Sequence, residues 1–334
     1  MDDYALVVGV NDYPNYKKPL KGAIKDADDF AAWLSDANGG AVKKCEVIRS
    51  SADPMVPVRT HVDQALVRIH DEVAMSDEGR GRRFYFYFSG HGLGVSHTET
   101  ALCTAIWDDH TWVNAALSLP EYLTMFLDSG LFDEIVVLVD CCRTQLLKTG
   151  GLGPEITWSL RPGVQAGQSR SFVGYATQYT NKAYEAAVGG HPDDFRGYFT
   201  RALLAGLRGG AAQAGGGVPA SQLKHYLEIH TPQLAKEGDR LQYAEVQNSF
   251  QADPEPTFGK ARPASTLNVT FTPGRREVAV LDGALRPVFQ ADAADTRWSA
   301  VPVDAGLLYV LKDLTSGALH PVEVQNTGAI DVTF

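Results

Sequence analysis

Two short apolar runs, each ending abruptly at a reactive side chain, constrain this chain more than any other feature. Phe84-Tyr85-Phe86-Tyr87-Phe88 leads into Ser89-Gly90-His91-Gly92, and Ile135-Val136-Val137-Leu138-Val139 leads into Asp140-Cys141-Cys142-Arg143. Runs rich in β-branched and aromatic residues, without polar alternation, are the pattern of strands buried on both faces of a parallel sheet. In such sheets the carboxyl ends of neighbouring strands converge on one rim, where sites form. A histidine and a cysteine on that rim make an imidazole–thiol pair, so the same runs predict a reaction as well as a fold.

The first 180 or so residues alternate strand and helix signals. Tyr4 to Val10 is a short apolar strand closed by Asn11, Asp12 and Pro14. Ile24, Ala27, Ala31 and Leu34 recur at helical spacing, and Gly39-Gly40 ends that helix. Val47 and Ile48 mark a second strand, and Val58, Val62, Leu66, Ile69 and Val73 mark the stripe of a second helix. Ser118-Leu119-Pro120-Glu121 has the form of a capping box with proline in the first turn, opening a helix that Gly130 stops. Phe172 to Ala176 follows the cysteine run as a further strand. Alternating β and α elements with buried strands predict an α/β fold, a mostly parallel sheet sandwiched by helices.

Between Arg143 and Ser171 the chain turns rich in Gly, Pro, Gln and Ser and reads as a long exposed loop. Asp253 to Pro263 reads as a domain exit. Beyond Thr266, alternation at Leu267, Val269 and Phe271, and again at Ile330, Val332 and Phe334, with turns such as Asp282-Gly283, predicts a small antiparallel β-sandwich. The expected division is therefore a first domain over 1–262 and an all-β domain over 265–334.

Composition narrows the function. The formal net charge of −10 argues against nonspecific binding to nucleic acid or anionic membranes and favours basic partners. No stretch approaches the roughly 20 apolar residues that span a bilayer. The N-terminal residues have no basic region of a signal peptide. Cys45, Cys103, Cys141 and Cys142 have neither zinc-ligand nor disulfide-scaffold spacing. A reducing, cytoplasmic setting is the expectation, with cysteine catalytic or buried. Cys45 and Cys103 read as buried thiols. Chemically, a thiolate attacks a carbonyl carbon, an imidazole takes and returns the proton, and backbone N–H groups hold the oxyanion. Here His91 is the acid–base, and the amides of Gly92 and of the nucleophilic cysteine are the donors.

With these motifs in place the chain resembles the caspase-like cysteine peptidases, most closely the metacaspase and bacterial orthocaspase branch. The resemblance rests on Tyr4–Val10 with Gly22-Ala23-Ile24-Lys25-Asp26-Ala27, on Ser89-Gly90-His91-Gly92, and on Asp140-Cys141-Cys142-Arg143 about fifty residues later. Tyr175-Ala176-Thr177-Gln178, Ala183-Tyr184-Glu185 and Gly197-Tyr198-Phe199-Thr200 extend it over about 1–260. It implies a large-subunit part to about 150, a linker over 144–170 and a small-subunit part over 171–262. It also selects Cys142, two residues after the acid, as nucleophile. Cys141, facing the other way along the strand, is the alternative.

The resemblance further implies a pocket for a basic substrate side chain at the residue before the cut (P1), formed by Asp26, Ser89 and Asp140. Two carboxylates there attract a cation and repel an acid. Leu20 stands near where a caspase has an arginine, whereas Arg143 is caspase-like. Lys148, Arg161 and Arg170 are candidate self-cleavage sites in the linker. Calcium, needed by many metacaspases, finds only weak candidates in Asp108 and Asp109, with Asp128 nearby, so no cofactor is expected. The expected function is a regulated protease that cleaves after Arg or Lys, in a bacterial stress, cell-death or antiphage defence pathway. A regulatory partner is expected on the C-terminal β domain. A catalytically silent scaffold and an Asp-specific protease are the alternatives.

Overall fold

The computed structural model describes residues 1–108, 115–145, 151–158, 168–188, 192–213, 216–250, 255–261, 265–273, 277–283, 285–292, 297–303, 307–324 and 328–334. Packing divides the chain into one unit of Met1–Leu204 with Leu223–Pro256, and a second of Ala205–Gln222 with Thr257–Phe334. The segment Ala205–Gln222 thus groups with the C-terminal strands, because Val218–Pro219 pairs antiparallel with Thr257–Phe258. A linear reading cannot see that pairing.

The first unit is built on a six-stranded sheet in the order Glu245–Asn248, Arg170–Tyr175, Phe132–Asp140, Gly81–Ser89, Asp3–Gly9, Lys44–Arg49. Its pairings are parallel except at the edge strand Glu245–Asn248, which runs antiparallel to Arg170–Tyr175. The histidine strand, Gly81–Ser89, and the cysteine strand, Phe132–Asp140, lie side by side at the centre. Their alternating side chains feed two cores. Phe84, Phe86 and Phe88 join Val62, Leu66 and Ile69 of helix Arg59–Ala74 and Phe126 of helix Leu119–Asp128. Tyr85 and Tyr87 face the other way, where Phe30 of helix Ala23–Ser35 stacks on Tyr87 with ring centres 4.7 Å apart.

A buried ion pair fixes the register of the central strands. Arg83 lies beside Glu134, and its Nη2 and Nε sit 2.6 and 2.7 Å from Glu134 Oε2. Neither group can be left unpaired in the core without a penalty of several kcal/mol, so a slipped register is disfavoured. The same register sets Ser89 opposite Asp140.

Among the described residues of the segment after the cysteines, several are tied to the fold, which composition alone does not suggest. Thr144–Gln145 pairs with Gly92–Gly94 as a short strand. Farther on, the Leu152 carbonyl accepts from Ser118 N–H at 3.0 Å, and Asp63 accepts from Glu155 N–H at 2.9 Å. Trp158 is only 7% exposed, its ring within about 6 Å of the rings of Phe84, Phe126 and Phe132. One large apolar side chain outweighs the polar residues around it, since its burial contributes a few kcal/mol. Accordingly, Trp158→Ala is expected to lower unfolding free energy by about 3–5 kcal/mol, read by urea denaturation. Ser118 also departs from expectation. It precedes the helix Leu119–Asp128 but makes no side-chain cap, and Pro120 removes one of the amides a cap would serve.

The C-terminal strands form two sheets around one apolar core that includes Leu267, Val280, Trp298, Leu311 and Val324. The four-stranded sheet is antiparallel, as expected. In the three-stranded sheet, however, Ser265–Thr270 pairs parallel with Gly328–Thr333, which corrects the all-antiparallel reading. Alternation along a strand is the same in either pairing, so it carries no direction. No helix among the described residues is long and apolar enough to cross a membrane.

Candidate active site

Because Ser89 and Asp140 are register partners, both central strands end level, and the chain beyond each carries His91 and Cys142 to one cavity of about 130 Å³. The imidazole of His91 is held from several sides. Its ring packs on Tyr13, with centres 4.6 Å apart, and meets Tyr16 edge-on at 5.3 Å. Its main-chain N–H donates to Tyr13 Oη at 2.7 Å. Nε2 lies 2.7 Å from the carbonyl oxygen of Lys18. A carbonyl only accepts, so Nε2 carries the proton and Nδ1 presents the lone pair. Burial pulls the imidazole pKa below its ordinary value, partly opposed by the Lys18 carbonyl. The ring is therefore a neutral base at pH 7.

Cys142 is half-buried, whereas Cys141 is 2% exposed and belongs to the core. The Cys142 thiol donates to the Ala183 carbonyl at 3.5 Å, and Ala183 N–H donates back to Sγ at 3.4 Å. Burial pushes the thiol pKa up, while the Ala183 N–H draws it back. At rest the cavity thus holds a neutral thiol and a neutral imidazole, and a neutral imidazole is able to accept a thiol proton. Gly92 is required by close approach: a Cβ there would lie 2.4 Å from Cys141 Sγ and 2.8 Å from the Cys142 carbonyl oxygen. Its missing side chain thus makes room for the cysteine turn itself.

Asp26 and Asp140 line the same cavity, both almost fully buried. Asp26 accepts from Gly197 N–H at 3.0 Å and from Ser89 Oγ at 3.4 Å. Asp140 Oδ2 accepts from Thr200 N–H at 3.0 Å and from Thr200 Oγ1 at 2.7 Å. Burial raises the pKa of both carboxyls, and for Asp26 the charge of Asp140 adds to it. The Gly197 N–H opposes the shift at Asp26, and Thr200 opposes it at Asp140. A third carboxylate, Glu185, lines the cavity and accepts from Gly22 N–H at 2.8 Å, at the start of helix Ala23–Ser35.

Arg143 does not line this cavity. It is 1% exposed and donates to Thr100 Oγ1 at 3.1 Å, to Glu245 Oε2 at 2.7 Å and to the His97 carbonyl at 2.7 Å, with its guanidinium over the Tyr175 ring. Its caspase-like appearance in the sequence reflects packing. Leu20 lines the cavity. Arg170 opens the strand Arg170–Tyr175 and donates to Glu134 at 3.2 Å, so it lies in the sheet and not in a loop. Lys148 and Arg161, along with Asp109, lie outside the described residues. Asp108 is half-buried, and Asp128 lines a separate open cavity beside Trp158. No cluster of three or more acidic, His or Cys side chains fit for a metal occurs among the described residues.

Residues 2–239 match the caspase domain. The chain belongs to the caspase-domain peptidase family. Among relatives of this caspase-domain chain, a probable protease of a Desulfuromonadales bacterium is 33% identical over 219 residues, covering 63% of this chain and 26% of the relative. The chain therefore spans about a quarter of the length of that curated relative. Among solved structures, caspase-1 from Spodoptera frugiperda aligns with a TM-score of 0.48 at 11% identity, covering 78% of this chain and 90% of that one.

Several site residues of this caspase-domain chain escaped the sequence reading. Lys18 acts through its carbonyl, which no side-chain pattern betrays. Tyr13 sits in the turn that closes the first strand and was legible only as a turn neighbour. Glu185 and Thr200 belong to recognised segments, but nothing in those segments says that they reach this cavity.

Proposed function

We propose that this protein is a cysteine endopeptidase that cleaves after Arg or Lys. Cys142 Sγ attacks the scissile carbonyl carbon as His91 Nδ1 takes its proton, and the amides of Cys142 and Gly92 hold the oxyanion. His91 returns the proton to the leaving amine, and water then hydrolyses the thioester. The observation that carries the P1 assignment is the lining of the cavity. Asp26, Asp140 and Glu185 border it together with His91 and Cys142, and no Lys or Arg borders it among the described residues. An acidic P1 side chain would meet three acidic side chains there and no Lys or Arg among the described residues.

Fluorogenic peptides differing only at P1 test this. Arg and Lys peptides are expected to exceed the Asp peptide in kcat/KM by on the order of a thousandfold. Cleavage of the Asp peptide alone would overturn the pocket assignment, and cleavage of none would favour a silent scaffold. Self-processing in the 144–170 linker, a defence role and a partner for the C-terminal strands extend this proposal on the resemblance alone. Intact masses of the wild type and Cys142→Ala test the first: two full-length chains that differ only by the one sulfur atom of the substitution would reject it.

A further inference from the structure

We propose that Thr200 is a positioning residue for the substrate's basic side chain, its hydroxyl ordered by Tyr87 so that it holds one oxygen of Asp140 and leaves the other to the cation. This inference rests on the Arg/Lys reading above. Thr200 stands in the first turn of helix Tyr198–Ala205, where a backbone N–H has no partner inside the helix. That N–H and the Thr200 hydroxyl both go to Asp140 Oδ2, at 3.0 and 2.7 Å. Among the described residues, neither bond uses Oδ1. The hydroxyl has a single proton, and it is spent on Asp140. The contact of 2.6 Å between Tyr87 Oη and Thr200 Oγ1 must then have tyrosine as donor. The result is a directed chain from Tyr87 through Thr200 to Asp140, entirely buried.

Such a chain matters because the other groups around Asp140 work against its charge. Asp26 approaches from helix Ala23–Ser35 and Glu185 from its own strand, while Ser89, His91 and Cys142 bring no fixed cation. The Arg196 guanidinium, which acts on Asp26, is paired with Asp29 and Asp194. Gly197 is held free of a side chain by the same crowding, since a Cβ there would lie 2.2 Å from Asp140 Oδ2. Thr200 thereby supplies two of the donors that keep Asp140 ionised in a desolvated site, and it fixes the orientation of the carboxylate. Valine in its place keeps the shape and the backbone N–H but removes the hydroxyl.

The test uses the full chain and two peptides identical except for P1 arginine or P1 citrulline, which has nearly the same shape without the charge. Thr200→Val is expected to lower kcat/KM for the arginine peptide by about tenfold to a hundredfold, mainly through KM, and to affect the citrulline peptide far less. The acid limb of the arginine profile should move up by about one pH unit. Thr200→Ser should restore both, Tyr87→Phe should fall between, and alkylation of Cys142 by iodoacetamide should keep its wild-type rate. Equal losses for both peptides, or an unmoved acid limb, would overturn the proposal. If the wild type cleaves no basic peptide, the Arg/Lys reading falls by itself. Carboxyl ¹³C NMR of Asp140 in the Cys142→Ala chain then decides separately. An upward titration shift on adding Thr200→Val supports the role of Thr200, and no shift rejects it.

Discussion

Cys142→Ala is expected to remove peptide hydrolysis, lowering kcat/KM by roughly 10⁴-fold or more, while Cys141→Ala stays within a few-fold of the wild type. The two thiols are chain neighbours, yet they differ in every property that a nucleophile needs. Cys142 is accessible, lines the cavity with His91, and exchanges hydrogen bonds with the Ala183 backbone that an incoming substrate can displace. Cys141 is 2% exposed with its sulfur against Gly92, and burial pushes its thiol pKa far up. Its loss should appear in stability, at about 1 kcal/mol, and not in turnover. Steady-state kinetics on an Arg peptide, with denaturation curves for both variants, checks this. Activity retained by Cys142→Ala would reject the assigned nucleophile.

Asp140→Asn should move activity and stability in opposite directions. For a P1-Arg peptide kcat/KM should fall by about 10³-fold, because the amide offers no charge to the guanidinium in a desolvated pocket. Thermal stability at pH 7 should rise. Burial lifts the Asp140 carboxyl to about 6, so the folded state binds a proton more tightly than the unfolded chain does. That contribution favours folding most below the ordinary carboxylate pKa and is lost as pH rises through about 6. At neutral pH the wild type therefore carries an ionised group that costs stability, and asparagine relieves it. The wild-type kcat/KM for a basic P1 should correspondingly fall as pH drops through the same range. Melting curves and pH profiles on both proteins check the pair of effects. A variant that loses stability and activity together would mark Asp140 as structural.

The placement of His91 and Cys142 was legible because both follow apolar runs whose burial is dictated by the residues themselves, and matched strands must end on one rim. The role of Arg143 was not, because an arginine looks the same whether it faces a substrate or Glu245, which lies 102 positions away. The burial of Trp158 within the linker was not legible for a related reason. Composition averages over Gly, Pro, Gln and Ser, whereas the fold responds to Trp158, whose fit between Phe84, Phe126 and Phe132 exists only once strands and helices have assembled.

By itself the sequence determined the alternating α/β core, the β-rich C-terminal region and the two strand ends that lead to His91 and to Asp140 and Cys142, all signals carried within a few neighbouring residues. Only the tertiary structure decided which imidazole nitrogen carries the proton, through the Lys18 carbonyl 73 residues from His91. It alone set how Asp26 and Asp140 are held, by Gly197 and Thr200 at separations of 171 and 60 residues. The physical reason is that these contacts use backbone groups and long-range hydrogen bonds. Their donors and acceptors are common to nearly every residue, so only position distinguishes them.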